Sequence, residues 1–128
     1  MKSYTLLTLT LLLLIGNFST AQTLDGNWKG TSVFQTKNSS CRDEIVVYYI
    51  SKNSGNNSYR ISASKIIEGK ENDMGALIFS FDPKRKILYL IDSVQQVKWE
   101  FKVMGKEMHG TLTSKGKLFR IVDLKRED

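Results

Sequence analysis

The chain reads as an all-β protein, a single antiparallel up-and-down barrel of about eight strands, on three observations. Short runs rich in Val, Ile, Tyr, Phe and Thr recur from residue 27 to residue 125, the composition that suits a pleated, half-buried surface. The links between them carry Gly, Asn, Asp or Pro and span about two to six residues, whereas a parallel crossover needs about a dozen. No stretch keeps a helical period over a helix's length. Closing such strands into a barrel removes the exposed edges an open sheet would leave; a two-sheet sandwich is the alternative that the same strands allow.

Taken in order, the runs cover residues 27–36, 44–51, 58–67, 76–82, 87–92, 96–104, 107–114 and 117–125. The first opens on Gly26-Asn27-Trp28-Lys29-Gly30. The second, "EIVVYYI", is apolar on both faces, so one of its two sets, Ile45/Val47/Tyr49 or Val46/Tyr48/Ile50, calls for a loop, a partner or a second copy of the chain to cover it. The clearest alternation is "VKWEFKV": Val97, Trp99, Phe101 and Val103 share one face, and Lys98, Glu100 and Lys102 the other, as for a strand with one buried and one wet side. Turn chemistry separates the runs at Asn53-Ser54-Gly55-Asn56, Gly69-Lys70-Glu71-Asn72, Asp82-Pro83-Lys84, Gly105-Lys106 and Lys115-Gly116. Each supplies a positive φ or a preset turn. The link at residues 37–43, which holds Cys41, is read as a loop or a lid over an open end.

Ahead of the strands, "MKSYTLLTLTLLLLIGNFSTA" has one basic residue, an apolar run and a small-residue ending, the order of a secretory signal peptide. Cleavage is expected after Ala21, leaving residues 22–128 as one domain. The apolar run falls short of the roughly 20 residues that span a bilayer. Cys41, the single cysteine, lies away from the cut and so is not a lipoprotein anchor, and one thiol makes no internal disulfide. The leader and the lack of disulfides point to a bacterial protein of the periplasm or the extracellular space. Asn38-Ser39-Ser40 and Asn56-Asn57-Ser58 fit the glycosylation acceptor pattern, which matters only in a eukaryotic host.

The formal net charge is +6, spread along the chain and gathered only at Lys84-Arg85-Lys86. Diffuse charge favours solubility, and no basic and aromatic residues interleave as a nucleic-acid groove requires.

With Gly26-x-Trp28 opening the first strand and Arg120 on the last, the chain resembles the lipocalins and the wider calycin barrels. The resemblance implies that Trp28 packs across a closed end and that a last-strand cation, Arg120 or else Arg126, lies over its indole. It also implies that the barrel binds a small hydrophobic ligand. The chain departs from the family in its length, in having no disulfide pair and in lacking recognisable second and third motifs.

Catalytic constellations are thin. His109, the single histidine, alternates with apolar neighbours and is expected to face solvent. One histidine and one cysteine cannot assemble the four-ligand set of a structural zinc, and Cys41 has no base near it in sequence. The carboxylates fall mostly at strand ends, without the inward pair that glycoside hydrolysis needs. No serine elbow or phosphate loop is present. The expectation is therefore a non-catalytic, cofactor-free barrel that binds a hydrophobic or amphipathic small molecule, lined by Trp28, Phe79, Tyr89, Trp99, Phe101 and Arg120. The alternative is a solid barrel that works as a protein-interaction or inhibitor module through its outer surface, with residues 45–50 as the contact or self-association strand. A filled core and a cavity demand the same residues, so cavity volume decides between them.

Overall fold

A computed structural model describes residues 24–36, 42–55 and 57–128. The leader and its cleavage point, Cys41 with most of its loop, and the acceptor residues Asn38 and Asn56 lie outside the described residues. Eight strands follow one another: β1 (Gly26–Phe34), β2 (Glu44–Lys52), β3 (Ser58–Ile67), β4 (Lys70–Asp82), β5 (Ile87–Asp92), β6 (Val97–Met104), β7 (Glu107–Ser114) and β8 (Lys117–Arg126). Each pairs antiparallel with the next, and β8 returns to β1 to close a barrel. No helix among the described residues is long and apolar enough to cross a membrane.

Alternation decides what faces in. Trp28 on β1 stands opposite Tyr48 on β2 and Arg126 on β8, and the same face continues through Ile61, Phe79, Leu88, Phe101, Met108 and Val122, all buried. Of the doubly apolar second strand, Val46, Tyr48 and Ile50 form the core-facing set. On its outer face Ile45 and Tyr49 are exposed, while Val47 is buried between Lys29 and Ser64 of the adjoining strands. The Tyr49 hydroxyl donates to Glu71 on β4 across β3, where the register partner of Tyr49 is the small Ser62.

One end of the barrel is plugged. Leu24 and Trp28 are fully buried there, and the Trp28 indole N–H donates to the Leu24 carbonyl at 3.0 Å, so the one polar atom of the ring keeps a partner. Close approach also fixes the second glycine of the opening motif. A Cβ at Gly30 would lie 1.7 Å from the Asp123 carbonyl oxygen and 2.9 Å from the Leu124 Cα, which makes Gly30 part of the seam where β1 meets β8. Gly110 on β7 does the same for a side chain: the Phe101 ring occupies the space where its Cβ would be, 2.1 Å from the ring's Cδ1.

The largest difference from the sequence reading is in β4. Residues 70–72, read there as a turn and followed by a strand from residue 76, are strand; the turn is confined to Glu68 and Gly69, both at positive φ. The stretch Lys70–Asp73 looks like a loop in sequence because it lies at the barrel's rim with all its side chains exposed, so no apolar alternation is required of it. Between the two halves sits a β-bulge: Ala63 pairs with Gly75 and Ser64 with Asp73, leaving Met74 as the extra residue. Gly75 adopts φ +96° and its N–H donates to Asp73 Oδ1 at 2.8 Å. Positive φ favours glycine at that place, and bulges bend the strand that carries them.

Candidate functional site

β4 and β5 pair over only three positions, Ser80 with Tyr89, Phe81 with Leu88 and Asp82 with Ile87. Beyond Ser80 the strands part. β5 continues to Asp92 bonded only to β6, and β4 runs on through its bulge bonded only to β3. The wall is therefore split on the side away from the Trp28 plug. Leu77 shows the consequence: alternation aims it inward, yet it is 49% exposed, because no strand covers it from the β5 side.

A pocket of about 260 Å³ opens at this split, lined by Tyr48, Ile61, Ala63, Met74, Gly75, Ala76, Leu77, Phe79 and Trp99. Its volume exceeds the roughly 150 Å³ of an apolar cavity able to hold benzene and lies just under the usual range of sites for drug-sized ligands. The aromatic wall is packed ring against ring. Trp99 stacks on Phe101 with centroids 6.0 Å apart and planes 9° from parallel. Phe79 meets both rings edge-on, at 6.4 Å and 5.9 Å, and Tyr48 meets Phe101 at 5.9 Å. No side chain of the lining carries a charge. Burial, with the nearby Glu44 carboxylate, raises the Tyr48 hydroxyl well above the ordinary phenol value while Arg120 opposes the change, so Tyr48 stays a neutral hydroxyl at ordinary pH.

The six residues expected to line a cavity are distributed differently. Phe79 and Trp99 are on the pocket wall. Phe101 lies behind them, fully buried, as the platform for Trp99. Trp28 belongs to the plug. Tyr89 faces outward from β5 and is 37% exposed, since it follows Leu88 in a strand where Leu88 and Leu90 take the inner face.

Arg120 faces inward at the rim, opposite Phe34 and away from Trp28. Its guanidinium donates to the Ser32 carbonyl and Oγ at 3.2 and 3.1 Å, to the Arg42 carbonyl at 3.2 Å from each terminal nitrogen, and to Glu44 Oε1 at 3.0 Å. It also sits 5.5 Å from the Phe34 ring and 5.9 Å from that of Phe119. Arg126 is the cation registered with Trp28 on the neighbouring strand. Its side chain packs against Gly26 and donates to the Asp25 carbonyl.

Sequence reasoning missed Tyr48, Ile61, Ala63 and the run Met74 to Leu77 as pocket residues. The Asp73-Met74-Gly75 triplet was the available signal, because an aspartate two before a glycine is the local chemistry of a side-chain-capped turn or bulge.

A second hollow lies on the outer face between β1, β8 and β7, lined by Lys29, Gly30, Thr31, Glu107, His109, Asp123, Leu124 and Lys125. There His109 Nδ1 is hydrogen-bonded to Asp123, and Glu107 lies 3.7 Å from Nε2. The Asp123 bond, reinforced by the charges of Asp123 and Glu107, raises the imidazole above its ordinary pKa. Among the described residues no three His, Cys, Asp or Glu side chains gather where they could hold a metal ion. Compared with protein-family models, with curated protein sequences and with solved structures, the chain matches none.

Proposed function

We propose that this protein is a lipocalin-like, non-catalytic binder of one small apolar molecule, exported by its leader and holding the ligand in the pocket at the β4–β5 split. The observation that carries the reading is the combination of a stacked aromatic wall with a local bulge and a parted strand pair. Three devices converge on one apolar hollow, where regular pairing would have filled it. A pocket with few polar groups binds by burial, at about 25 cal/mol per Å² of apolar surface removed from water, without the pKa-matched acid and base that chemistry requires.

Titration with N-phenyl-1-naphthylamine, a neutral fluorescent hydrophobe, tests it. The expected result is saturable, one-to-one enhancement of probe emission with quenching of Trp99. Trp99→Phe should remove the quenching, and Ala63→Leu, which fills the pocket, should weaken binding at least tenfold. A response that does not saturate, or that Ala63→Leu leaves unchanged, rejects the pocket as the site. The outer-surface reading draws on a different observation, the exposed Ile78, Tyr89 and Ile91 on the outer face of β4 and β5; it predicts a concentration-dependent change in sedimentation or capture by a partner that substitution of these residues abolishes.

A further inference from the structure

We propose that the pocket takes neutral apolar molecules and rejects anionic amphiphiles such as carboxylates, and that Glu44 enforces the choice by neutralising Arg120. The inference rests on the ligand-binding reading of the pocket. A barrel with an inward arginine at its rim would ordinarily be matched to an acid, since guanidinium and carboxylate form paired, charge-assisted hydrogen bonds. Here that capacity is already used. Both terminal nitrogens of Arg120 are engaged by Ser32, the Arg42 carbonyl and Glu44. The ion pair is well enclosed, with side-chain exposures of 11% for Arg120 and 23% for Glu44.

The pair shares the barrel's inner face with the pocket wall: Glu44 precedes Tyr48 by four residues on β2, and Arg120 is registered with Leu112, which is registered with Trp99. Glu44 and Arg120 act on the Tyr48 hydroxyl in opposite senses, so their fields oppose one another at the pocket wall. None of the lining residues is charged. An entering carboxylate would shed its hydration and meet no countercharge, which is strongly unfavourable, whereas a hydroxyl or an ether needs only one hydrogen bond. The protein's overall charge of +6 attracts anions from a distance, so a preference for the neutral ligand reports the pocket and not the outer surface.

The experiment compares 2-naphthylmethanol with 2-naphthoate, matched in shape, by calorimetric titration of the protein at pH 8. The expected result is that the alcohol binds at least tenfold tighter. Glu44→Gln keeps an oxygen for Arg120 but removes the negative charge, and it should strengthen naphthoate binding several-fold and narrow the ratio. Equal or tighter binding of naphthoate by the unsubstituted protein overturns the selectivity while leaving the pocket in place. Failure of both compounds to bind overturns the ligand-binding reading and this inference with it. A ratio that Glu44→Gln leaves unchanged, in a variant whose circular dichroism matches the parent, overturns the role of Glu44. The ratio in the unsubstituted protein stands even where the variant fails to fold.

Discussion

Substituting Gly30 by alanine tests whether the barrel is closed as described. The added Cβ would fall 1.7 Å from the Asp123 carbonyl oxygen, 2.7 Å from its carbon and 2.9 Å from the Leu124 Cα. All three are backbone atoms, so no rotamer change relieves the overlap, and β1 must move off β8 by more than about 1 Å to reach ordinary contact. That movement pulls on the pairing from Trp28–Arg126 to Phe34–Arg120. Losing about two ladder hydrogen bonds costs about 1 kcal/mol each, and the overpacking adds about 1–3 kcal/mol. Against this, alanine restricts the unfolded chain and returns about 0.5–1 kcal/mol. The net expectation is a loss of roughly 2–4 kcal/mol, which at about 1–1.5 kcal/mol per molar urea lowers the denaturation midpoint by about 2 M. Equilibrium urea unfolding followed by tryptophan emission measures it directly, because Trp28 flanks the seam. A Gly30→Ala midpoint within about 0.5 M of the parent would show that β1 and β8 do not approach as closely as this, and the closed barrel would fall with it.

Trp28→Ala empties the plug and strands the Leu24 carbonyl, with an expected loss of about 3–5 kcal/mol; thermal unfolding unchanged within a few degrees would contradict the packing. Gly110→Ala displaces the Phe101 ring and should cost about 1–3 kcal/mol, and combining it with Phe101→Leu should recover part of that loss. A double-mutant cycle with no coupling beyond about 0.5 kcal/mol would mean that the two residues do not share the space. His109 is held above its ordinary pKa by Asp123. Its contribution to stability is therefore complete below about pH 6.5, the unfolded value, and is lost as pH rises through the raised folded value. His109→Asn should narrow the gap in melting temperature between pH 5.5 and pH 8.5, and an identical profile in the two proteins would refute the linkage.

Strand order, antiparallel pairing and the inward faces of most strands were legible in the sequence because period-two burial writes itself into side-chain polarity. Val97, Trp99, Phe101 and Val103 all face in as their alternation indicated. The core-facing set of the second strand was not legible: both sets are apolar, and only pairing with Trp28 and Gly30 selects Val46 and Tyr48. The start of β4 was hidden for the opposite reason, since an exposed rim strand owes nothing to the core and reads as a turn. The pocket was hidden because it depends on where two strands stop pairing, a matter of register and length that no residue states alone.

The partner of Arg120 shows the same division. The sequence by itself determined that an inward arginine on the last strand needed partners, because an unpaired buried charge is prohibitive. Closure of the barrel decided that they are Ser32, the Arg42 carbonyl and Glu44, residues 76 to 88 positions away, and that Arg126 is the residue registered with Trp28. Side-chain chemistry sets what each group requires, and it is local. Which groups meet follows from the register of β8 against β1, fixed by the contact that only Gly30 permits, and that is a property of the closed sheet.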